Sequence, residues 1–67
     1  MIEITLNGEK RQIADSTSLV TLLNNLDLAS RRVAVVRNGD VVHHEDYAST
    51  VLGSGETVDI IQMVGGG

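Results

Sequence analysis

Few residues of this 67-residue chain have types and spacing suited to chemistry. Three glycines close it, Gly65, Gly66 and Gly67, and two adjacent histidines, His43 and His44, precede Glu45, Asp46 and the one aromatic residue, Tyr47. Glycine has no Cβ and loses more backbone entropy on ordering than any other residue, so three in a row do not extend a strand. The expectation is a folded body over residues 1–64 and a flexible tail over 65–67 that carries the terminal carboxylate. Extended, three residues reach roughly 10 Å, enough to pass that carboxylate through a channel too narrow for side chains. Terminal glycines also fray as most chain ends do, but a linker needs something beyond it, and here the sequence stops. A carboxylate is ionised at pH 7 and is a poor electrophile, so chemistry there requires activation by a second protein, most simply as a mixed anhydride with a phosphate of ATP. The chain has no GxxxxGK[ST] loop for that step. The tail would be the substrate and a partner the catalyst, with ATP used by that partner and no cofactor bound by this chain.

The other candidates are weaker. In an extended segment His43 and His44 point to opposite faces, so they do not readily share a metal, and nothing nearby suggests the pocket or oxyanion hole of a hydrolase. Lys10-Arg11, Arg31-Arg32 and Arg37 could meet phosphates, but each group is short and interrupted by acids. With nine acidic residues against five basic ones and a net charge of −4, the chain lacks the basic face of a nucleic-acid binder and better suits a protein partner with a basic surface. Tyr47 reads as a loop anchor rather than a stacking platform. No cysteine is present, which excludes disulfides, thiolate metal sites and a nucleophilic thiol. A chain this short buries only about 60% of its unfolded surface, so a single small domain is expected, not an enzyme with its own deep cleft. Neither a signal-peptide pattern nor 18 consecutive apolar residues occur, so the expected location is the cytoplasm.

The positioning elements follow from periodicity. Ile2, Ile4 and Leu6 alternate with Glu3 and Thr5, a half-buried strand. Asn7-Gly8 suits a type I′ turn, where both central residues need positive φ, and residues 9 to 13 return as the second strand. Leu19, Leu22, Leu23 and Leu26 fall at i, i+3, i+4 and i+7, one face of a helix of about eight residues. Ser18 is placed to cap it, with Asp15, Ser16 and Thr17 as competing candidates, and Asn24, Asn25 and Asp27 weaken its far end. Val33–Val36, Asn38-Gly39 and Val41-Val42 form a second hairpin, with Arg37 and Asp40 as opposite charges across its turn. Tyr47, Val51 and Leu52 are expected to anchor a short turn or 3₁₀ segment. After Gly53-Ser54-Gly55 comes a last strand, Val58 to Val64, apolar on both faces as strands flanked on both edges are.

One helix covers one face of a sheet. Ile2, Ile4, Leu6, Val33, Val35, Val58 and Ile60 belong to that side with the leucines. Opposite parity puts Ala34, Val36, Ile61 and Met63 on the uncovered face, and an apolar patch beside the chain end suggests a surface that meets a partner.

The element order, the Asn-Gly first turn, the leucine helix, the Gly53-Ser54-Gly55-Glu56-Thr57-Val58 segment and the final Gly66-Gly67 resemble the ubiquitin-like β-grasp sulfur carriers over the whole chain. Within that group, the length and Leu22-Leu23-Asn24-Asn25-Leu26-Asp27 look most like the ThiS family of thiamine biosynthesis; Gly65 is one glycine more than the pattern requires. The resemblance implies an α+β β-grasp fold: a mixed sheet of about five strands with one helix on one face, the first and last strands lying parallel at its centre. It further implies that the Gly67 carboxylate is adenylated by a ThiF-like activating enzyme using ATP. Sulfur from a donor such as a cysteine desulfurase then converts it to a thiocarboxylate, which a ThiG-like thiazole synthase uses, while Gly65 and Gly66 thread into the partners' sites. Two alternatives remain: a related carrier supplying sulfur to the molybdenum cofactor, and a β-grasp interaction module without covalent chemistry.

Overall fold

The computed structural model describes residues 1–63. Strand β1 (Ile2–Leu6) and strand β2 (Glu9–Ile13) form an antiparallel hairpin, followed by helix α1 (Leu19–Asn25), strand β3 (Val33–Arg37), strand β4 (Asp40–Val42), a 3₁₀ turn (His44–Asp46) and strand β5 (Thr57–Gln62). The sheet runs β2-β1-β5-β3-β4. β5 lies parallel to β1 and antiparallel to β3, so the last strand has the expected neighbour on each edge, although one of its faces, with Thr57, Asp59 and Ile61, is uncovered. The strand expected over Val58 to Val64 ends at Gln62, with Met63 already outside it; Val64 and Gly65 to Gly67 lie outside the described residues. No helix among the described residues is long and apolar enough to cross a membrane.

Both hairpins close on Asn-Gly in the left-handed region: φ is 49° and 84° at Asn7 and Gly8, and 50° and 86° at Asn38 and Gly39. Two-residue turns of this hand match the twist of the strands they join. They set the register, pairing Leu6 with Glu9 in the first hairpin and Arg37 with Asp40 in the second.

Helix α1 begins where the sequence indicated. The Ser18 Oγ accepts from the Thr21 N–H at 3.2 Å, and the free Leu19 N–H donates to the Thr50 carbonyl at 3.0 Å. Its other end is more ordered than the Asn-rich composition suggested. Asp27 takes φ 59°, its N–H donates to the Asn24 carbonyl, and the Leu28 N–H reaches back to Leu23 at 2.8 Å. These paired bonds to the last turn are a Schellman cap with aspartate in the usual glycine position.

The helix packs Leu19, Leu22 and Leu23 onto Ile4, Leu6, Val35, Val58 and Ile60, with Ile13, Tyr47 and Leu52 closing the core. Each such side chain contributes roughly 1.5–3 kcal/mol by leaving water. Ile2, Leu26, Val33 and Val42 pack against this cluster half-buried. Two expectations need correcting. Val51 is 50% exposed, because its backbone bridges to Ser18 while the next residue, Leu52, turns inward. Arg37 and Asp40 face each other in register, yet the Arg37 guanidinium turns away to Glu56, with Nη2 at 2.6 Å from Oε2.

Candidate functional site

Everything that presents the end of the chain depends on β5, and its two edges are held in similar ways. On the β1 side, the strand pairing reaches only Leu6 opposite Val58. Beyond it the Asn7 side chain continues the pairing: Oδ1 accepts from the Ile60 N–H at 2.7 Å, and the Asn7 N–H donates to the Val58 carbonyl at 2.9 Å. On the β3 side, Asn38 Oδ1 accepts from the Thr57 N–H at 2.9 Å, and the Asn38 N–H donates to the Thr57 carbonyl at 2.7 Å. Each turn asparagine thus supplies a strand-like partner to a backbone group that would otherwise lack one.

Glu56 locks the start of the strand. Its Oε2 accepts from Arg37 Nη2 and Nε, at 2.6 and 3.0 Å, and from Asn38 Nδ2 at 3.1 Å. Oε1 accepts from the Gly53 N–H at 2.6 Å. The Arg37 hydrogen bonds hold the Glu56 carboxyl below its ordinary range, with burial opposing and the Gly53 N–H, the Arg37 charge and Asn38 adding to the lowering.

The uncovered side of the sheet carries the expected apolar row. Ile61 is 55% exposed and stands directly across from Ala34; Val36 stands across from Asp59. Ala34 and Val36 are half-buried. The sequence reading left out Val41, which is 67% exposed and pairs with Val36. The two-residue turn was the available signal, since it makes the residue after Asp40 face the residue before Arg37. Met63 is also exposed but departs from the expected row. β5 ends at Gln62, so strand parity no longer governs Met63; its N–H donates to the Arg32 carbonyl at 2.9 Å, and it lines a cleft with Val20 and Leu23 on the helix side. His44 packs edge to face on Tyr47 at 5.3 Å between ring centres, a contact that supports the loop. Lys10 lies on edge strand β2 with its ammonium 4.0 Å from Glu3. Charged side chains on such an edge discourage pairing with another sheet.

Comparison with known proteins places this geometry. A sequence model of the ThiS family matches residues 4–67, a span that includes Gly65, Gly66 and Gly67. The chain belongs to the ThiS family. Its fold superposes on the crystal structure of the thiamine biosynthesis protein ThiS from Geobacter metallireducens with a TM-score of 0.85, at 30% identity, covering 98% of this chain and 100% of that one. The five-stranded mixed sheet with one helix is therefore the ubiquitin-like β-grasp of ThiS proteins.

Two sequence relatives differ in length. The chain is 35% identical over 66 residues to a thiazole synthase of Paramagnetospirillum magneticum, covering 98% of this chain and 20% of that protein. It is 38% identical over 66 residues to the uncharacterized protein ycf40 of Porphyra purpurea, covering 98% of this chain and 93% of that one. The chain thus spans about a fifth of the thiazole synthase it matches. For a ThiS-family chain, the parts brought together around β5 are the open apolar row, the two asparagine clamps and Glu56. The clamps and Glu56 were not among the residues the sequence singled out.

Proposed function

We propose that this chain is a sulfur carrier of thiamine biosynthesis that does no catalysis itself and is the substrate of partner enzymes. The Gly67 carboxylate attacks the α-phosphorus of ATP in an activating enzyme, forming an acyl adenylate and releasing pyrophosphate. The terminal sulfur of a persulfide on a donor such as a cysteine desulfurase then displaces AMP to form an acyl disulfide. A thiol reductant attacks the donor-side sulfur, releasing the thiocarboxylate and leaving a disulfide between donor and reductant. One carboxylate oxygen has been replaced by sulfur, and the thiocarboxylate passes that sulfur to thiazole synthase. Glycine suits all of these transfers because a thread without side chains fits a narrow channel.

The observation that carries this reading is the family match running through residue 67. The relatives named thiazole synthase, which contain a counterpart of this chain as about a fifth of their length, support thiazole synthase as the acceptor. The row of Ala34, Val36, Val41 and Ile61 offers the apolar surface on which a partner would seat the domain while Gly65 and Gly66 enter its site.

Incubation with ATP, the activating enzyme and a sulfur donor, followed by intact mass spectrometry, tests the reading. The expected result is the mass gain of one oxygen-to-sulfur exchange, localised to Gly67. An unchanged mass under conditions that convert a known carrier would overturn it. Deleting Gly66 and Gly67 together, which leaves no Gly-Gly ending, is expected to abolish the exchange and leave the thermal midpoint nearly unchanged.

A further inference from the structure

Opposite the open sheet face lies a second surface that the carrier reading does not use. A cleft of about 760 Å³ opens between the α1–β3 connection and the 3₁₀ turn. Its apolar walls come from Val20, Leu23, Leu28, Tyr47 and Met63, and Arg31, Arg32 and His44 also line it, with Glu45 as the one carboxylate. The Schellman cap shapes it: the chain reverses at Asp27, the Leu28 N–H bonds back to Leu23, and the Arg31 N–H then donates to the Leu28 carbonyl at 3.0 Å. That turn brings two arginines to an apolar cleft.

The charge at this place runs against the rest of the molecule. The chain as a whole carries −4. Of its five basic residues, Arg37 is engaged by Glu56, Lys10 lies beside Glu3, and Arg11 is exposed on edge strand β2, away from the cleft. Among the described residues neither Arg31 nor Arg32 forms an ion pair, and both are exposed. Guanidinium groups recognise carboxylates in a bidentate fork, and Val20, exposed on the helix, and Met63 add apolar contact area. The complement is a protein segment with carboxylates next to an aliphatic side chain.

The cleft also stands close to the reacting group. Met63 lines it, and the four residues from Val64 to Gly67 span at most about 14 Å when extended, so any reaction at Gly67 occurs within that distance of the cleft. Val20 and Leu23 belong to the helix, which lies on the face of the sheet opposite Ile61. A carrier seated on an activating enzyme by its open face keeps the cleft accessible.

We infer that this cleft receives an acidic, aliphatic-tipped segment of the protein that delivers sulfur, docked while the activating enzyme holds the sheet face. The inference rests on the carrier reading, and the two fail in different ways. The experiment uses the full chain with activating enzyme and ATP, and with a cysteine desulfurase, cysteine as sulfur source and a thiol reductant to release the thiocarboxylate. ATP–pyrophosphate exchange reports adenylation, and intact mass reports sulfur transfer. Arg31→Glu/Arg32→Glu is expected to leave exchange unchanged and to slow sulfur transfer by about tenfold or more, since reversing charges at a docking surface acts chiefly on association. Arg31→Lys/Arg32→Lys, which keeps the charge, is expected to retain most of the rate. Val20→Glu, on an exposed helical position, tests the apolar wall in the same assay should the double variant not fold. A parallel loss of exchange and sulfur transfer would assign the cleft to the activating enzyme and overturn the inference, as would unchanged sulfur transfer. If the unaltered chain supports no exchange at all, the carrier reading fails and the inference goes with it.

Discussion

Ile60 and Ile61 are the same residue type, adjacent in one strand, and their surroundings differ sharply. Ile60 is 8% exposed and packs beneath α1, while Ile61 is 55% exposed on the bare side of the sheet. The difference comes from the pleat, which sends successive side chains to opposite faces, and from there being one helix to cover one face. An aliphatic residue on the covered face is explained by stability. An aliphatic row on the bare face gains little from folding, which is why we propose it as the surface that meets a partner. The contrast teaches where substitutions should damage the fold and where they should damage only its use.

The largest expected effect is on the covered face. Ile60→Ala removes buried methyl and methylene groups beside Val35 and Val58 and should cost about 3 kcal/mol, within the usual span for such truncations. Urea denaturation with an unchanged slope is the measurement. For a domain this small that loss is a large share of total stability. A cost below about 0.5 kcal/mol, the size typical of surface changes, would erase the distinction between the two faces.

Much of this arrangement was legible because it is written locally. The strand period of two, the 3.6-residue leucine stripe, the Ser18 cap and the two Asn-Gly turns each need only a few consecutive residues. What was not legible depends on partners distant in sequence. Glu56 enters the sequence reading only as part of the Gly53 to Val58 segment, and its role appears only when the fold brings Arg37, 19 positions away, to 2.6 Å. Asn7 was readable as a turn residue, but not as the acceptor for Ile60, 53 positions on. Asp40 was the nearer partner for Arg37 along the chain, and tertiary geometry overrode it. The candidate site was legible in part: the parity of β3 and β5 gave Ala34, Val36 and Ile61 a common face, whereas Val41 needed the hairpin register.

The intermediate effect tests whether β5 is held by its ends as well as by its faces. The Glu56 side chain is 15% exposed and accepts four hydrogen bonds, two of them from Arg37. Glu56→Gln keeps the shape but removes the charge, and should cost about 1–2 kcal/mol at neutral pH. The sign of its pH dependence follows from the lowered carboxyl pKa. A carboxylate whose folded pKa is depressed contributes stability above its unfolded pKa and loses it as pH falls through the folded one. The gap between the unaltered chain and Glu56→Gln should therefore be full at pH 7 and shrink in acid below the ordinary glutamate value of 4.5. A gap independent of pH would show that shape, not charge, holds the loop.

The smallest effect on stability belongs to the bare face, and there the comparison of the two isoleucines is sharpest. Ile61→Asp exchanges an exposed aliphatic for a poor strand former, at a cost of about 1 kcal/mol or less. Its neighbours on that face are Ala34 across the pair and Asp59 two positions back, so the new charge removes apolar contact and adds a like charge. Binding to the activating enzyme should weaken strongly, as isothermal titration of the two purified proteins would show, while the thermal midpoint moves little. Unfolding of the variant would mean that Ile61 faces the core and the assignment of faces is inverted. A stable variant with undiminished affinity would leave the fold as described and take the apolar row out of the interface, making the helix-side cleft the surface left to meet a partner beside the end of the chain.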